Sequence, residues 1–543
     1  MRAVPFLLLL FCAPVLAQDA ATFAKRLETA PSCAEFLPAP QQAAGHRIGP
    51  DKCSILSDER VFDRKGRIFE RWELKISGNV EGWAVKEGRR GNYFNDAPDI
   101  VFVQSQNSGL RLKGVARYEA GTGHGISLFF PADAKNWNGK LFVTAHGAGS
   151  YGGVGTLLPR DPKADFNPLL NANRFVGLLI DKGYAVAHTL RSAHRTGGDA
   201  VAALEDGTTL KVNVSTHAGF ITSFTKIAEN ILRAKLGKEP RRTYFYGFSA
   251  GGFLGRLVQY YPGFNRDGDG SLIFDGFLLD DVGGGDWRPI LMVDGKDTLF
   301  AIAEDRKRFV PQIDITHALD VGENDSSLRK KRENALMLKQ KGLADKHRMY
   351  EIKGLEHIDA GLVSKPDYIP QALDLGGIMD AMIDHLDRWV ERGEAPPPTM
   401  SDLAELGGPN KNGGLSHAAV TLPEVACPLG VYHIFSAILG DSLRGSQETA
   451  FAAFDGVNLE PIDGRGKLVD LNGNGIRDTR ENVAQAWRRI GLLGRSEPMT
   501  HGKYVACVSK AATALVKAGL LPTGMVRYYI RKAKSTRIEE FIP

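Results

Sequence analysis

The chain of 543 residues carries 68 Lys and Arg against 63 Asp and Glu, a formal net charge of +5, and is 43% hydrophobic. That length suits one large domain with insertions or two domains. The near-balance of charge argues against a nucleic acid or a membrane surface as partner, and two basic stretches, Arg329 to Arg332 and Arg527 to Arg537, read as solvated faces.

Arg2 precedes an apolar run from Val4 to Leu16 that is too short to span a bilayer, and polar Gln18 and Asp19 follow the small residue Ala17. The pattern reads as a signal peptide over residues 1–17, cut after Ala17. Cys12 follows bulky Phe11 and lies upstream of that cut, so it is not read as a lipidation site. No later stretch has the length and apolarity of a spanning helix. The expected location is therefore secreted or periplasmic, without stable membrane insertion. Of the five cysteines, Cys33, Cys53, Cys427 and Cys507 would remain. An even number in an oxidising compartment suggests two disulfides; of the three possible connectivities, separation alone favours Cys33 with Cys53 and Cys427 with Cys507.

Residues 18–120 read as an accessory region of short β-like pieces, such as Ile68 to Ser77 and Ile100 to Gln104, separated by Gly and Asn turns. It would be an edge extension of a sheet or a flap over a cleft. A core over 121–395 follows, with strands at Ile126 to Phe130, Leu141 to Ala145, Tyr184 to Thr189, Phe274 to Leu279, Ile313 to Thr316 and Arg348 to Ile352. Helices are predicted at Pro168 to Lys182, Thr222 to Leu236 and Gln371 to Arg392. Strands alternating with helices imply an α/β fold with a mainly parallel sheet covered on both faces. Gly147 to Gly155 and Gly283 to Gly285 lack the frame of a nucleotide loop, so no nucleotide or redox cofactor is expected. Glu394 to Pro398 reads as a stiff spacer. The region 396–543 beyond it would pack back onto the core.

The stretch TYFYGFSAGGFLGRLVQYY, Thr243 to Tyr261, organises the chemistry. An aromatic strand runs into Gly247-Phe248-Ser249-Ala250-Gly251 and then into an apolar helix start, the order of a nucleophile elbow. A serine hydroxyl needs a base to take its proton and a third group to hold that base. After an elbow serine the expected chain order is acid, then histidine. Asp320 follows the strand IDITHA, and His357 follows the strand MYEIKG in the polar loop GLEHIDAG. Ser249, Asp320 and His357 are thus the candidate triad. Glu323, Asp325, Asp280 and Asp281 remain alternatives for the acid. Oxyanion donors are expected from the N–H of Ala250 and from the loop after LFVTA, at Gly147 or Ala148; His146 reads as a shaping residue.

A second constellation has the spacing of a calcium loop. Asp470, Asn472, Asn474, the carbonyl of Ile476, Asp478 and Glu481 stand at positions one, three, five, seven, nine and twelve, with Gly475 at six. With Arg477 at position eight, the expectation is a structural calcium ion and no switch. Asn265, Asp267, Asp269 and Gly270 form a weaker echo, with Gly276 in the twelfth place, and read more readily as a polar turn.

On GFSAGGFLGRLVQYYPGFNRDGDGSLIFDG, HALDV, YEIKGLEHIDAG, HLDRWVERGEAPP and LPEVACPLGVYH, the chain resembles the alpha/beta-hydrolase superfamily. More narrowly, it resembles a little-characterised group of bacterial alpha/beta-hydrolase-domain proteins. The likeness runs from about Gly125 to the carboxyl end. In that group the acid region often reads TETDV; Asp320 falls on its aspartate and Ala318 on its glutamate. The resemblance implies a serine hydrolase in which the carboxyl region belongs with the catalytic unit. The expected activity is carboxylic-ester hydrolysis through an acyl-enzyme, on a small-molecule or polymeric ester. Amide or peptide cleavage by the same residues is the alternative, and a calcium-stabilised binding protein without turnover is another.

Overall fold

A computed structural model describes residues 30–43, 46–85, 115–146, 174–190, 200–203, 209–212, 218–248, 250–260, 265–282, 292–293, 296–297, 308–317, 326–353, 355, 373–401, 419–429, 483–536 and 538. The signal peptide expected at 1–17 and the strand expected at Ile100 to Gln104 lie outside them.

The first half contains β1 (Gln41–Ala43), β2 (His46–Phe62), β3 (Ile68–Val85), β4 (Val115–Pro131), β5 (Lys140–His146), α1 (Arg174–Asp181), β6 (Ala185–Leu190), β7 (Ala200–Ala203), β8 (Thr209–Val212) and α2 (Ala218–Leu236). Then come β9 (Arg242–Phe248), α3 (Ala250–Tyr260), β10 (Gly276–Asp280), β11 (Met292–Val293), β12 (Lys296–Asp297), β13 (Gln312–His317), α4 (Ser326–Gln340) and β14 (His347–Ile352). Beyond β14 the described helices are α5 (Gly376–Arg392), a single turn at Pro423–Ala426, α6 (Val483–Arg489), α7 (His501–Lys517) and α8 (Gly524–Ser535).

Ten strands make one sheet in the order β1-β2-β3-β4-β6-β5-β9-β10-β13-β14. From β6 to β14 every pairing is parallel, and from β1 to β6 every pairing is antiparallel. This is a largely parallel α/β sheet with an antiparallel extension, the expected class. The chain leaves β5 for β6 on one side and then returns to place β9 on the other side. That reversal is a topological switch point, and the crevice it opens lies at the carboxyl ends of β5 and β9.

The extension differs from the sequence reading in an instructive way. The pieces punctuated by Gly78, Asn79 and Gly82 are one continuous strand, β3, paired along β2 and β4. Gly78 is not a turn residue: a Cβ there would lie 2.1 Å from the Gly49 carbonyl oxygen and 2.6 Å from Pro50 Cα. Opposite it the register of β2 slips between Pro50 and Lys52. A glycine inside a strand thus marks a bulge where two backbones nearly touch. β4 pairs with β6 only over Ile126 to Phe129. Its residues 115–125, with the matching parts of β2 and β3, therefore run on as a three-stranded ribbon past the carboxyl end of β6.

Strand alternation divides the core into two layers. Tyr244, Tyr246, Leu278, Ile313, Ile315 and Tyr350 face α1 and α5, whereas Phe245, Phe277 and Leu279 face α2 and α3. The carboxyl helices bury Trp487, Tyr504, Val508 and Tyr529 in the same layer as Ile378, Met382 and Leu386 of α5. The proline-rich stretch does not lead away from the sheet. The Met400 N–H donates to Met349 O and the Glu351 N–H to Met400 O, both at 2.9 Å, so the chain covers the outer edge of β14. Both favoured disulfides are formed, Cys33–Cys53 and Cys427–Cys507, closing separations of 20 and 80 residues. Loop closure of that size is worth about 3 and about 4.5 kcal/mol. Among the described residues no helix is long and apolar enough to cross a membrane.

Candidate active site

β9 is buried along nearly its whole length, and α3 begins two residues after it ends, leaving Ser249 as the sole residue between them. So sharp a strand-to-helix turn needs glycine for steric reasons. A Cβ on Gly247 would meet Gly251 O at 2.6 Å, and one on Gly252 would meet Val282 Cγ2 at 2.3 Å. The backbone N–H of Ala250 belongs to the first turn of α3, where helical N–H groups lack intrahelical acceptors.

Ser249, Asp320, His357, Gly147 and Ala148 lie outside the described residues, as do Glu323 and Asp325; each lies in a segment whose flanking strand is described. Gly147 and Ala148 follow β5, Asp320 lies three residues beyond β13, and His357 lies five beyond β14. β5, β9, β13 and β14 are parallel members of one sheet, so all these positions follow strands that end at the same edge.

At that edge the two aspartates considered as alternative acids have other partners. The Tyr246 hydroxyl donates to Asp280 Oδ2 at 2.9 Å, and His317 Nε2 lies 3.0 Å from Asp280 Oδ1. Lys331 Nζ donates to Asp281 Oδ1 at 2.6 Å, and the His317 N–H donates to the same oxygen at 3.1 Å. His317 Nδ1 faces Asp281 Oδ2 at 3.6 Å. Burial pulls the His317 pKa down, but the Asp281 and Asp280 carboxylates outweigh it and the pKa is raised. A carboxylate stands before each ring nitrogen, which favours the protonated imidazole. All four side chains lie in a place closed to water.

A second cluster lies under α3. Asp314 accepts from Gln312 Nε2 at 3.0 Å, and its other oxygen lies 3.0 Å from His347 Nε2 and 3.5 Å from Arg256 Nη2. Burial raises the Asp314 carboxyl, yet Arg256 and His347 bring it below the ordinary aspartate value. Beside it, Arg332 donates to both oxygens of Glu351. No local pattern signals these pairs: Lys331 and Arg332 belong to the stretch read as solvated, but they are 3% and 5% exposed. The other basic stretch fits its reading better, since Arg527, Arg531 and Lys534 are exposed.

The metal expectation is corrected. Among the described residues, no group of three or more His, Cys, Asp or Glu side chains is placed to hold a metal ion. Asp470, Asn472, Asn474, Ile476, Asp478 and Glu481 lie outside the described residues, and no structural calcium ion is carried forward. In the weaker echo the oxygens have internal partners. Asn265 bonds the backbone of Phe274 in both directions, Asp269 accepts from the Ser271 N–H at 2.8 Å, and Lys226 Nζ sits 2.8 Å from Asp267 Oδ2. An ammonium stands beside the carboxylate where a cation would have to sit, and the polar-turn reading holds.

Among solved structures, esterase B from Lactobacillus rhamnosis is 13% identical, with 73% of this chain and 96% of that chain covered and a TM-score of 0.29. Feruloyl esterase B from Aspergillus oryzae is 10% identical, with 64% and 89% covered and a TM-score of 0.32. Carboxyl esterase 2 from Tuber melanosporum is 16% identical, with 49% and 84% covered and a TM-score of 0.27. At these scores none carries an argument about this chain's chemistry. No curated protein matches the sequence. A family model described as "Alpha/beta hydrolase domain" matches residues 214–531, from α2 to the last helix. That is more than half of the chain, so the protein belongs to the alpha/beta hydrolase domain family, whose membership supports a hydrolytic enzyme.

Proposed function

We propose that the protein is an exported serine hydrolase that cleaves carboxylic esters through an acyl-enzyme. The observation that carries this reading is the elbow: a single serine between the buried strand β9 and α3, next to the switch point of the sheet. Ser249 Oγ attacks the acyl carbon while His357 takes its proton and Asp320 orients the imidazole. The N–H of Ala250 and one from Gly147 or Ala148 stabilise the oxyanion. Collapse breaks the bond to the alkoxide, which leaves with the proton from His357. Water then attacks the acyl-enzyme, His357 takes the water proton, and the carboxylic acid departs as Ser249 regains its hydrogen. Two formed disulfides support an oxidising compartment and hence export.

The test is intact-mass analysis after reaction with a fluorophosphonate, with peptide mapping and Ser249→Ala as control. One adduct on Ser249, absent from the variant, with ester turnover abolished in that variant, is the expected result. No adduct on folded protein overturns the reading. Matched ester and amide substrates then decide the bond cleaved, and faster amide turnover would replace the ester assignment.

A further inference from the structure

Asp281 is the one described non-glycine residue with positive φ, at 43°. It is completely buried. Residues in sparsely populated backbone regions are strained and persist only where their surroundings over-determine them. Here the surroundings are explicit. The Asp281 N–H donates to Ile315 O at 2.8 Å, extending the β10–β13 ladder by one step. Its carboxylate takes the His317 N–H at the end of β13 and the Lys331 ammonium from α4. β13 enters the 318–325 segment and α4 leaves it, so one carboxylate holds the elements on both sides of the segment containing Asp320. The same short stretch touches the elbow. Asp280 is paired in register with Phe248, the residue before Ser249. Val282 lies so close to Gly252 that no Cβ fits between them.

We infer that Asp281, clamped by His317 and Lys331, is a positioning residue that fixes the acid-bearing segment after β13 relative to the serine elbow. The inference rests on the serine-hydrolase reading for its kinetic consequence, though not for the clamp itself. The arrangement explains why a charged cluster is buried at this edge, where hydrophobic packing of equal volume would hold the fold as well. An ionic clamp adds direction: an oxygen shared by a backbone N–H and an ammonium fixes two elements at one point. Misplacement of a catalytic group by about 1 Å can cost on the order of a hundredfold in rate.

The test compares wild type with Asp281→Asn/Lys331→Met, which removes one charge of each sign and leaves Asp280 opposite His317. For p-nitrophenyl acetate hydrolysis, kcat is expected to fall roughly 10- to 100-fold with KM within about twofold. Hydrogen exchange at the amides of residues 317 and 326–331 is expected to speed up in the same protein. Asp387→Asn, at the opposite edge, serves as the control for simple loss of stability and should leave kcat unchanged. If the double variant does not fold, Lys331→Arg, which keeps the charge and moves the donor, is read in the same way. Wild-type kcat in the variant, or a matching loss in the control, overturns the inference; so does unchanged exchange at these amides. If wild type neither turns over nor takes a fluorophosphonate label, the hydrolase reading has failed, and exchange alone decides the clamp.

Discussion

The two edges of the parallel sheet are both rich in charge, but they hold it differently. At the carboxyl edge Asp280, Asp281, His317 and Lys331 are at most 3% exposed and bond to one another. At the amino edge, Lys140 donates to both oxygens of Asp387, which also accepts from the Tyr244 hydroxyl; Arg242 pairs with Glu391, and Lys182 with Asp380 and Asp384. Lys140 and Tyr244 are buried there, but the carboxylates and the remaining cations reach toward solvent, with Asp384 51% exposed. Burial also raises the Tyr244 pKa, with Asp387 adding to the shift, so the phenol remains a neutral donor. Buried ion pairs pay a desolvation penalty that exposed ones avoid, so they are weak evidence for stability and better evidence for a geometric role. By that logic the amino edge fastens α5 to the sheet, while the carboxyl edge sets the positions of chain segments around the elbow.

The sharpest way to break this contrast is Lys331→Met alone. It leaves Asp281 buried without its ammonium, and removing one partner of a buried pair typically costs about 3–5 kcal/mol. Denaturant unfolding should register a loss of that size, most of it recovered when Asp281→Asn is added. A loss below about 1 kcal/mol would mean that water or another cation replaces Lys331, and that the carboxyl edge is no more dependent on its pairs than the amino edge.

How much of this was legible in the sequence depended on whether the controlling partner was close in the chain. Strand β9, the elbow glycines and the helix after them are local, and TYFYGFSAGGF displays them through β-favouring aromatics followed by small residues. The parallel strands β5, β6, β13 and β14 were equally plain, because each is a short apolar run with a turn signal beyond it. β3 was not, because Gly78 is there for Gly49 and Pro50 on the neighbouring strand, and a sequence window sees only a breaker. α4 was missed altogether: SSLRKKRENALMLKQ looks like solvated charge, yet Lys331 and Arg332 turn inward to Asp281 and Glu351, contributed by other elements. His317 likewise sat inside a motif whose aspartate, Asp320, drew the attention. The calcium spacing at Asp470 to Glu481 shows the reverse risk, since a ligand pattern in sequence is only a proposal for how the chain folds around an ion.

A subtler contrast between the edges is their response to pH. The His317 pKa is raised above its ordinary value of 6.5. A group whose folded pKa exceeds its unfolded one contributes stability that is fully present below the unfolded pKa and lost as pH rises through the folded pKa. The advantage of wild type over His317→Gln in unfolding free energy should therefore be greatest near pH 5 and shrink steadily toward alkaline pH. The same comparison for Lys182→Ala should stay flat over pH 6 to 9, because the Lys182 pKa is raised above its ordinary value of 10.5. A flat profile for His317→Gln would mean that the imidazole is neutral between the two aspartates, and that the cluster carries a net negative charge.

The smallest effect belongs to a partly exposed pair of the amino edge. Lys182 follows α1 and reaches Asp380 and Asp384 on α5, 2.7 and 2.6 Å away. Burial lowers the Lys182 pKa, but the two carboxylates outweigh it and the net shift is upward. Exposed pairs of this kind are worth about 0.2–1 kcal/mol and are screened by salt. Lys182→Ala should therefore lower the unfolding free energy by less than about 1 kcal/mol at low ionic strength, and by less still at 1 M salt. Turnover should not change, because α1 and α5 fasten the sheet from the edge opposite the elbow. A salt-insensitive loss of several kcal/mol would place this pair with the carboxyl-edge cluster and erase the distinction between the two edges.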